Sequence, residues 1–193
     1  MIGLDRASQR MRGYARSWWI AGGWAIDLFL GRTTRAHQDV DVAVLRRDQS
    51  TLREHLRGWR FTKMVNGIAI EWPEHERLEL PIHEIHADSG GDRLEFLFNE
   101  AAGDVWRFRR NLEVSAPLAR ITRRTLDDVP YLAPEIVLLY KAKSPRQKDH
   151  DDFAHALPKL DPDARSWLAS ALRICHPEHE RLDRLMPSQP HAR

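Results

Sequence analysis

The sequence predicts an α/β fold of the α+β kind: a mixed sheet flanked by helices, then a smaller helical part. Three observations carry this. Short β-branched or alternating runs recur over roughly the first 110 residues, separated by glycine turns and by segments with helical spacing. A Gly-Gly pair joins the first of these runs to a helix. From residue 134 onward the pattern is helical, in short segments that open on proline. The expected division gives a sheet-bearing domain over residues 1–115 and a C-terminal helical subdomain with a polar tail over 116–193.

Residues 4–16 are polar and Arg-rich and read as a surface helix. Residues 18–21 form a short apolar run that reads as a buried strand, ended by Gly22 and Gly23. From Trp24, helical spacing runs to Gly31, a residue suited to a left-handed C-terminal cap. Residues 39–45, Asp-Val-Asp-Val-Ala-Val-Leu, alternate as a strand. A helix follows over 48–59, with Asp48 or Ser50 as its N-cap. Residues 67–72, 77–87 and 93–100 read as strands, the last two joined by a turn at 89–92. Residues 116–134 read as a proline-punctuated loop. Pro134 then opens a helix that stops at Ser144-Pro145. A second helix covers 147–157, and a third starts at Asp161-Pro162. The tail after His176 reads as partly disordered.

The 193 residues, 42% of them hydrophobic, suffice for a core. The net charge of +2 is too balanced to argue for a nucleic-acid partner. One cysteine, Cys175, excludes an intrachain disulfide and fits a reducing cytoplasm. No apolar run approaches the ~20 residues of a membrane helix, and the N-terminus lacks the apolar stretch of a signal peptide. A cytoplasmic protein without membrane attachment is expected.

Two carboxylates inside an apolar strand need a reason. On a strand Asp39 and Asp41 share a face, about 6.6 Å apart, while Val40, Val42 and Val44 face a core. Neither carboxylate has a cationic neighbour in sequence, so a cation belongs between them. Mg²⁺, which takes one or two carboxylates together with substrate phosphates, suits the position, and a pair of metals could share them. Gly22 and Gly23, at a strand-to-helix turn, would offer unhindered backbone N–H groups to phosphate. Separately each motif is ordinary; within one strand–turn–helix–strand unit they point to a metal–phosphate site.

Residues 21–44 resemble the signature of the nucleotidyltransferase superfamily, closest in texture to the aminoglycoside 2''-adenylyltransferase and lincosamide nucleotidyltransferase groups. The shared run is Gly22, Gly23, Trp24, Asp27, Gly31, Arg32, Arg35, His37, Asp39 and Asp41. Lys148, Asp149 and Asp152 fall in a K-D-x-x-D segment similar to one that often follows in relatives. The resemblance implies ATP or another nucleoside triphosphate, Mg²⁺ in a two-metal site held by Asp39 and Asp41, and transfer of a nucleoside monophosphate to a small-molecule hydroxyl, with pyrophosphate leaving. Gly22 and Gly23 would hold the β and γ phosphates. It also implies a third carboxylate, as metal ligand or base. Glu79, Glu84, Asp88 and Glu95 are candidates; Glu95 is favoured, although a glutamate stands where relatives tend to carry aspartate, and Glu84 is next. Lys141 and Lys148 are the candidates for a lysine on the triphosphate. Arg35 and His37 are candidates for phosphate contact.

Spacing argues against two zinc sites. His-Glu-Ile-His at 83–86 has one residue between Glu84 and His86 where the zinc-protease helix needs two, and its strand pattern splits the histidines between faces. Cys-His-Pro-Glu-His at 175–179 has too few ligands for a structural zinc. Two alternatives stay open: the same fold acting on tRNA or protein, and a nucleotide-binding protein without catalysis. The acceptor, which could be an aminoglycoside- or lincosamide-like antibiotic, and the oligomeric state are not legible.

Overall fold

The computed structural model describes residues 3–186. Helix α1 (Leu4–Met11) ends before residue 16 and is more than a surface helix, because Ala7 and Met11 are fully buried. Strand β1 (Trp18–Ile20) runs into α2 (Gly22–Leu30), which Gly31 closes in the left-handed conformation at φ 68°. Strand β2 (Asp41–Leu45) pairs antiparallel with β1. Asp39, expected on the strand, precedes it. The cause is that β1 runs out: Ala21 N–H donates to the Asp41 carbonyl at 2.9 Å, and the partner chain then turns into α2.

Helix α3 (Gln49–His55) leads to the hairpin of β3 (Arg60–Val65) and β4 (Ile68–Glu71). Strand β3 escaped the sequence reading because only Phe61 in it is fully buried, so alternation is faint. Strands β5 (Glu84–Ser89) and β6 (Asp92–Ala102) form the second hairpin. The expected strand over 77–87 is cut short, since residues 77–83 carry Pro81, which cannot donate to a ladder. There the buried side chain of Gln49 pairs with both backbone groups of Leu78, at 2.7 and 3.2 Å.

The stretch read as loop holds short elements: β7 (Val105–Arg107) lies before it, then come β8 (Ser115–Pro117), α4 (Leu118–Ile121), β9 (Thr122–Arg124) and β10 (Pro130–Leu132). Runs of three or four residues rich in arginine and proline leave no period to detect. Strand β10 lies parallel to β1, so the sheet continues to residue 132 and the expected division at 115 and 116 falls within β8. Among the described residues the ten-stranded sheet has the order β4-β3-β5-β6-β2-β1-β10-β9, with β7 and β8 branching from β6. The pairs β2–β6 and β1–β10 are parallel; the rest are antiparallel.

Helices α5 (Pro134–Tyr140), α6 (Gln147–Ala156) and α7 (Pro162–Cys175) follow. Asp161 caps α7 by accepting from Ala164 N–H at 2.7 Å. The tail is more ordered than expected: α8 (Arg181–Leu185) docks through Arg181, whose guanidinium donates to the carbonyls of Leu138 and Asp149 and lies over the Phe153 ring. Residues 187–193 of the expected disordered tail lie outside the described residues. The buried side chains of sheet and helices, among them Val42, Val44, Phe96, Ile136 and Leu139, form one continuous core.

Candidate functional site

Gly22 is where β1 becomes α2, at φ 60°, a conformation that L side chains rarely adopt. A methyl group added there would fall on Asp41 Oδ2. The carboxylate of Asp41 thus sits directly against the first residue of α2, on the end where backbone N–H groups are free. A methyl on Gly23 would meet Arg35 Nη2 and the His37 ring. Both glycines are fixed by what packs on them.

Across the sheet, Asp41 pairs with Glu95 on β6, and Glu95 pairs with His86 on β5. Glu84 shares the face of His86, and His86 Nε2 lies 3.1 Å from Glu84 Oε1 and 3.9 Å from Glu95 Oε1. Ligand atoms of Glu84, His86 and Glu95 all lie within 4.8 Å of one another. Asp39 joins Asp41, Glu84 and Glu95 around the same cavity. Burial pushes the Asp41 carboxyl up to about 7, the charges of Asp39 and Glu95 add to the rise, and Lys141 opposes it. Glu95 is raised as well, by burial first, with His86 opposing and Asp39 and Glu84 contributing. Of the other sequence candidates, Glu79 pairs with Arg77 and Asp88 with Arg93, both away from this cavity.

The cations are held in turn. Lys141 Nζ lies 2.6 Å from Asp149 and 3.0 Å from Asp152, so its partners come from α6. The i,i+4 pair of Lys148 with Asp152 that the spacing allows does not form; Lys148 lines the cavity and makes no ion pair among the described residues. Arg35 reaches the same Asp152 at 3.4 Å. His37, a candidate for phosphate contact, lies in the loop before β2. Its Nε2 is 2.6 Å from Asp27 Oδ2, Thr34 Oγ1 donates to Asp27 Oδ1 at 2.5 Å, and the ring lies 4.5 Å from that of Trp24. Asp27, buried in α2, therefore ties the loop to the helix. Its signal in the sequence is a lone carboxylate in the apolar run Trp-Ala-Ile-Asp-Leu-Phe-Leu, where a buried polar group needs partners.

These side chains open on a cleft of two adjoining lobes that share Gly22, Asp41, Glu84, Leu97, Lys141 and Arg146. One lobe, of about 620 Å³, is walled by Gly23, Trp24, Arg35, His37, Asp39 and Lys148. The other, of about 520 Å³, is walled by Phe98, Leu132, Val137, Tyr140, Arg109 and Arg110. Reading the sequence missed His86, set aside with a rejected zinc motif, and the arginines of the second lobe. Histidine 86 becomes visible only through strand pairing, because Glu95 lies nine residues away across a hairpin.

The sequence model of the aminoglycoside-2''-adenylyltransferase family matches residues 4–156. The chain belongs to that family. It is accordingly a nucleotidyltransferase of the adenylyltransferase kind, and the match spans the cleft from Gly22 to Asp152. Solved structures agree on the fold. The solution structure of the antibiotic-resistance factor ANT(2'')-Ia aligns at 20% identity over 88% of each chain, with a TM-score of 0.57. The crystal structure of ANT(2'')-Ia with adenylyl-2''-tobramycin aligns at 18% identity over 84% of this chain and 91% of that one, TM-score 0.56. Lincomycin-bound LnuA, a lincosamide antibiotic adenylyltransferase, aligns at 16% identity over 79% and 92%, TM-score 0.53. A search of curated protein sequences gave no match. No helix among the described residues is long and apolar enough to cross a membrane.

Proposed function

We propose that this adenylyltransferase-family chain transfers a nucleoside monophosphate, AMP from ATP, to a hydroxyl of a small molecule, with Mg²⁺ as the metal. The observation that carries the reading is the Asp41 carboxylate lodged against Gly22 at the start of α2, with Asp39 and Glu95 beside it. Asp39, Asp41, Glu84 and Glu95 crowd one cavity there, outnumbering Lys148, while Lys141 is already engaged by Asp149 and Asp152. An all-oxygen donor set with uncompensated negative charge suits a hard divalent cation. Asp39, Asp41 and Glu95 would hold Mg²⁺, which when bound supplies charge neutralisation for the triphosphate and polarises the phosphorus under attack.

The chain's own groups would do the rest. The free N–H groups of Gly22 and Gly23 at the α2 N-terminus bind phosphate oxygens. Lys148 and Arg35 add positive charge on that side, and Lys141 holds the floor between the lobes. Glu84 borders both lobes, so it competes with Glu95 for the role of base. In the transfer, the acceptor oxygen forms a bond to the α-phosphorus, the bond to the pyrophosphate oxygen breaks, and the hydroxyl proton passes to that carboxylate.

The test is incorporation of labelled AMP from ATP into a panel of hydroxyl compounds that includes tobramycin and lincomycin. Asp41→Asn should reduce transfer by about 10²-fold or more with the fold intact by circular dichroism. Glu95→Gln should lower turnover by about 10²–10⁴-fold while nucleotide still binds. If Glu84→Gln has that effect and Glu95→Gln does not, Glu84 is the base. Wild-type rates in Asp41→Asn would refute the metal assignment.

A further inference from the structure

The His-Glu-Ile-His run at 83–86 is no zinc motif, yet its second histidine stands among the acids of the cleft. Strand pairing sets His86 opposite Glu95 and Glu95 opposite Asp41, so the three form a row on one face across β5, β6 and β2. Glu84 shares that face through the two-residue period of β5. The His86 side chain is 10% exposed and, unlike Glu84 and Glu95, lines neither lobe of the cleft. Whatever it does to a substrate passes through the glutamates beside it. Its Nε2 is 3.1 Å from Glu84 Oε1, a hydrogen bond, and 3.9 Å from Glu95 Oε1, too long for one. A carboxylate only accepts, so the shared hydrogen belongs to the imidazole.

Glu84 is the acid at the joint of the cleft: it borders both lobes, whereas Glu95 lines only the lobe of Asp39. A glutamate has three rotatable side-chain bonds, and an untethered one spreads over several rotamers. A carboxylate that must meet a reacting group within about 0.5 Å needs that freedom removed. Among the described residues His86 is the one side chain that donates to Glu84, and its bond occupies Oε1 while Oε2 keeps no protein partner.

We infer that His86 is a positioning residue for nucleotidyl transfer: its Nε2–H holds the Glu84 carboxylate at the joint of the two lobes, with Oε2 left to act on the reacting groups. This rests on the nucleotidyl-transfer reading and adds the group that sets one of its two glutamates. The histidine touches neither substrate nor metal in this role.

The experiment compares the whole chain, with Mg²⁺, as wild type, His86→Leu, His86→Gln, Glu84→Ala and the double variant His86→Leu, Glu84→Ala. Turnover is read as labelled AMP passed from ATP to tobramycin or lincomycin, and affinity for a non-hydrolysable ATP analogue by calorimetry. His86→Leu should lower kcat by about ten- to 10²-fold while KM for ATP and the analogue's affinity stay within about twofold. His86→Gln, whose amide N–H can reach the same carboxylate, should recover most of the loss. The double variant should be no slower than Glu84→Ala alone, because the histidine acts through that carboxylate. In the imidazole nitrogen NMR spectrum of the analogue-loaded protein, His86 should carry hydrogen on Nε2, and Glu84→Ala should move that signal. Losses that add up in the double variant would overturn the inference. So would analogue affinity that falls as far as turnover in His86→Leu, or an Nε2 signal that Glu84→Ala leaves in place. If the wild type does not bind the analogue, the nucleotidyl-transfer reading itself fails; analogue binding kept together with additive losses rejects the role of His86 alone.

Discussion

Asp41 is a carboxyl group whose protonation is coupled to folding. Its ordinary value of 3.8 is pushed up to about 7, chiefly by burial and then by the charges of Asp39 and Glu95. The folded chain therefore keeps a proton that the unfolded chain gives up near pH 4. Metal-free protein should lose stability as pH rises from about 4 through about 7, and lose no more on this account above that. Asp41→Asn removes the group. The metal-free variant should melt higher than the wild type above pH 7, with the two melting curves converging near pH 4. A variant that melts lower at pH 8 would mean that the carboxylates are not mutually repelling. Asp149 has the opposite sign: despite burial, its bonds from Lys141 and Arg146 hold it well below the ordinary carboxylate range. Its contribution is present at neutral pH and fades only under strong acid. That Asp41 shares a site with Asp39 was an expectation from residue type and spacing, and the two line one cavity. The partners of Lys141 were not legible, because Asp149 and Asp152 reach it from a separate helix.

At the level of elements, the unit β1–α2–β2 builds the site. Strand β1 ends, α2 turns over at Gly22, and β2 brings Asp41 back beside that turn. Gly22→Ala meets two obstacles at once, a positive φ that costs about 1–2 kcal/mol and a methyl group placed on the Asp41 carboxylate. It should abolish Mg²⁺-dependent nucleotide binding and lower the melting temperature, as read by calorimetry and thermal unfolding. Gly23→Ala should also disturb the site, because the end of the Arg35 side chain can swing away but the His37 ring is held by Asp27 and packed on Trp24. This unit was legible in the sequence, since its glycines, helical spacing and β-branched strand agree with one another. Strands β7 to β10 were not, because three-residue strands rich in arginine and proline acquire their form from the partners they pair with.

For the whole molecule, the sheet does not stop where the helical part begins. Strand β10 lies beside β1, and α5 follows directly, so Tyr140 and Lys141 are carried to the cleft by a segment anchored in the sheet. Helix α6 supplies Asp149 and Asp152 from the helical side. The two-lobed cleft thus draws on both parts of the chain: Asp39, Asp41, Arg35 and His37 were readable in one stretch of sequence, whereas Arg109 and Arg110 were not. Arg109 and Arg110 carry no motif; only the fold brings them to the same cavity as Glu84. Asp41 and its neighbours are proposed to form a metal-dependent nucleotide site. The most direct test is calorimetric titration of a non-hydrolysable ATP analogue, with and without Mg²⁺, on wild type and Asp41→Asn. Binding that requires Mg²⁺ and disappears in Asp41→Asn is the predicted result. Binding that is equal in both proteins, or independent of Mg²⁺, would contradict it.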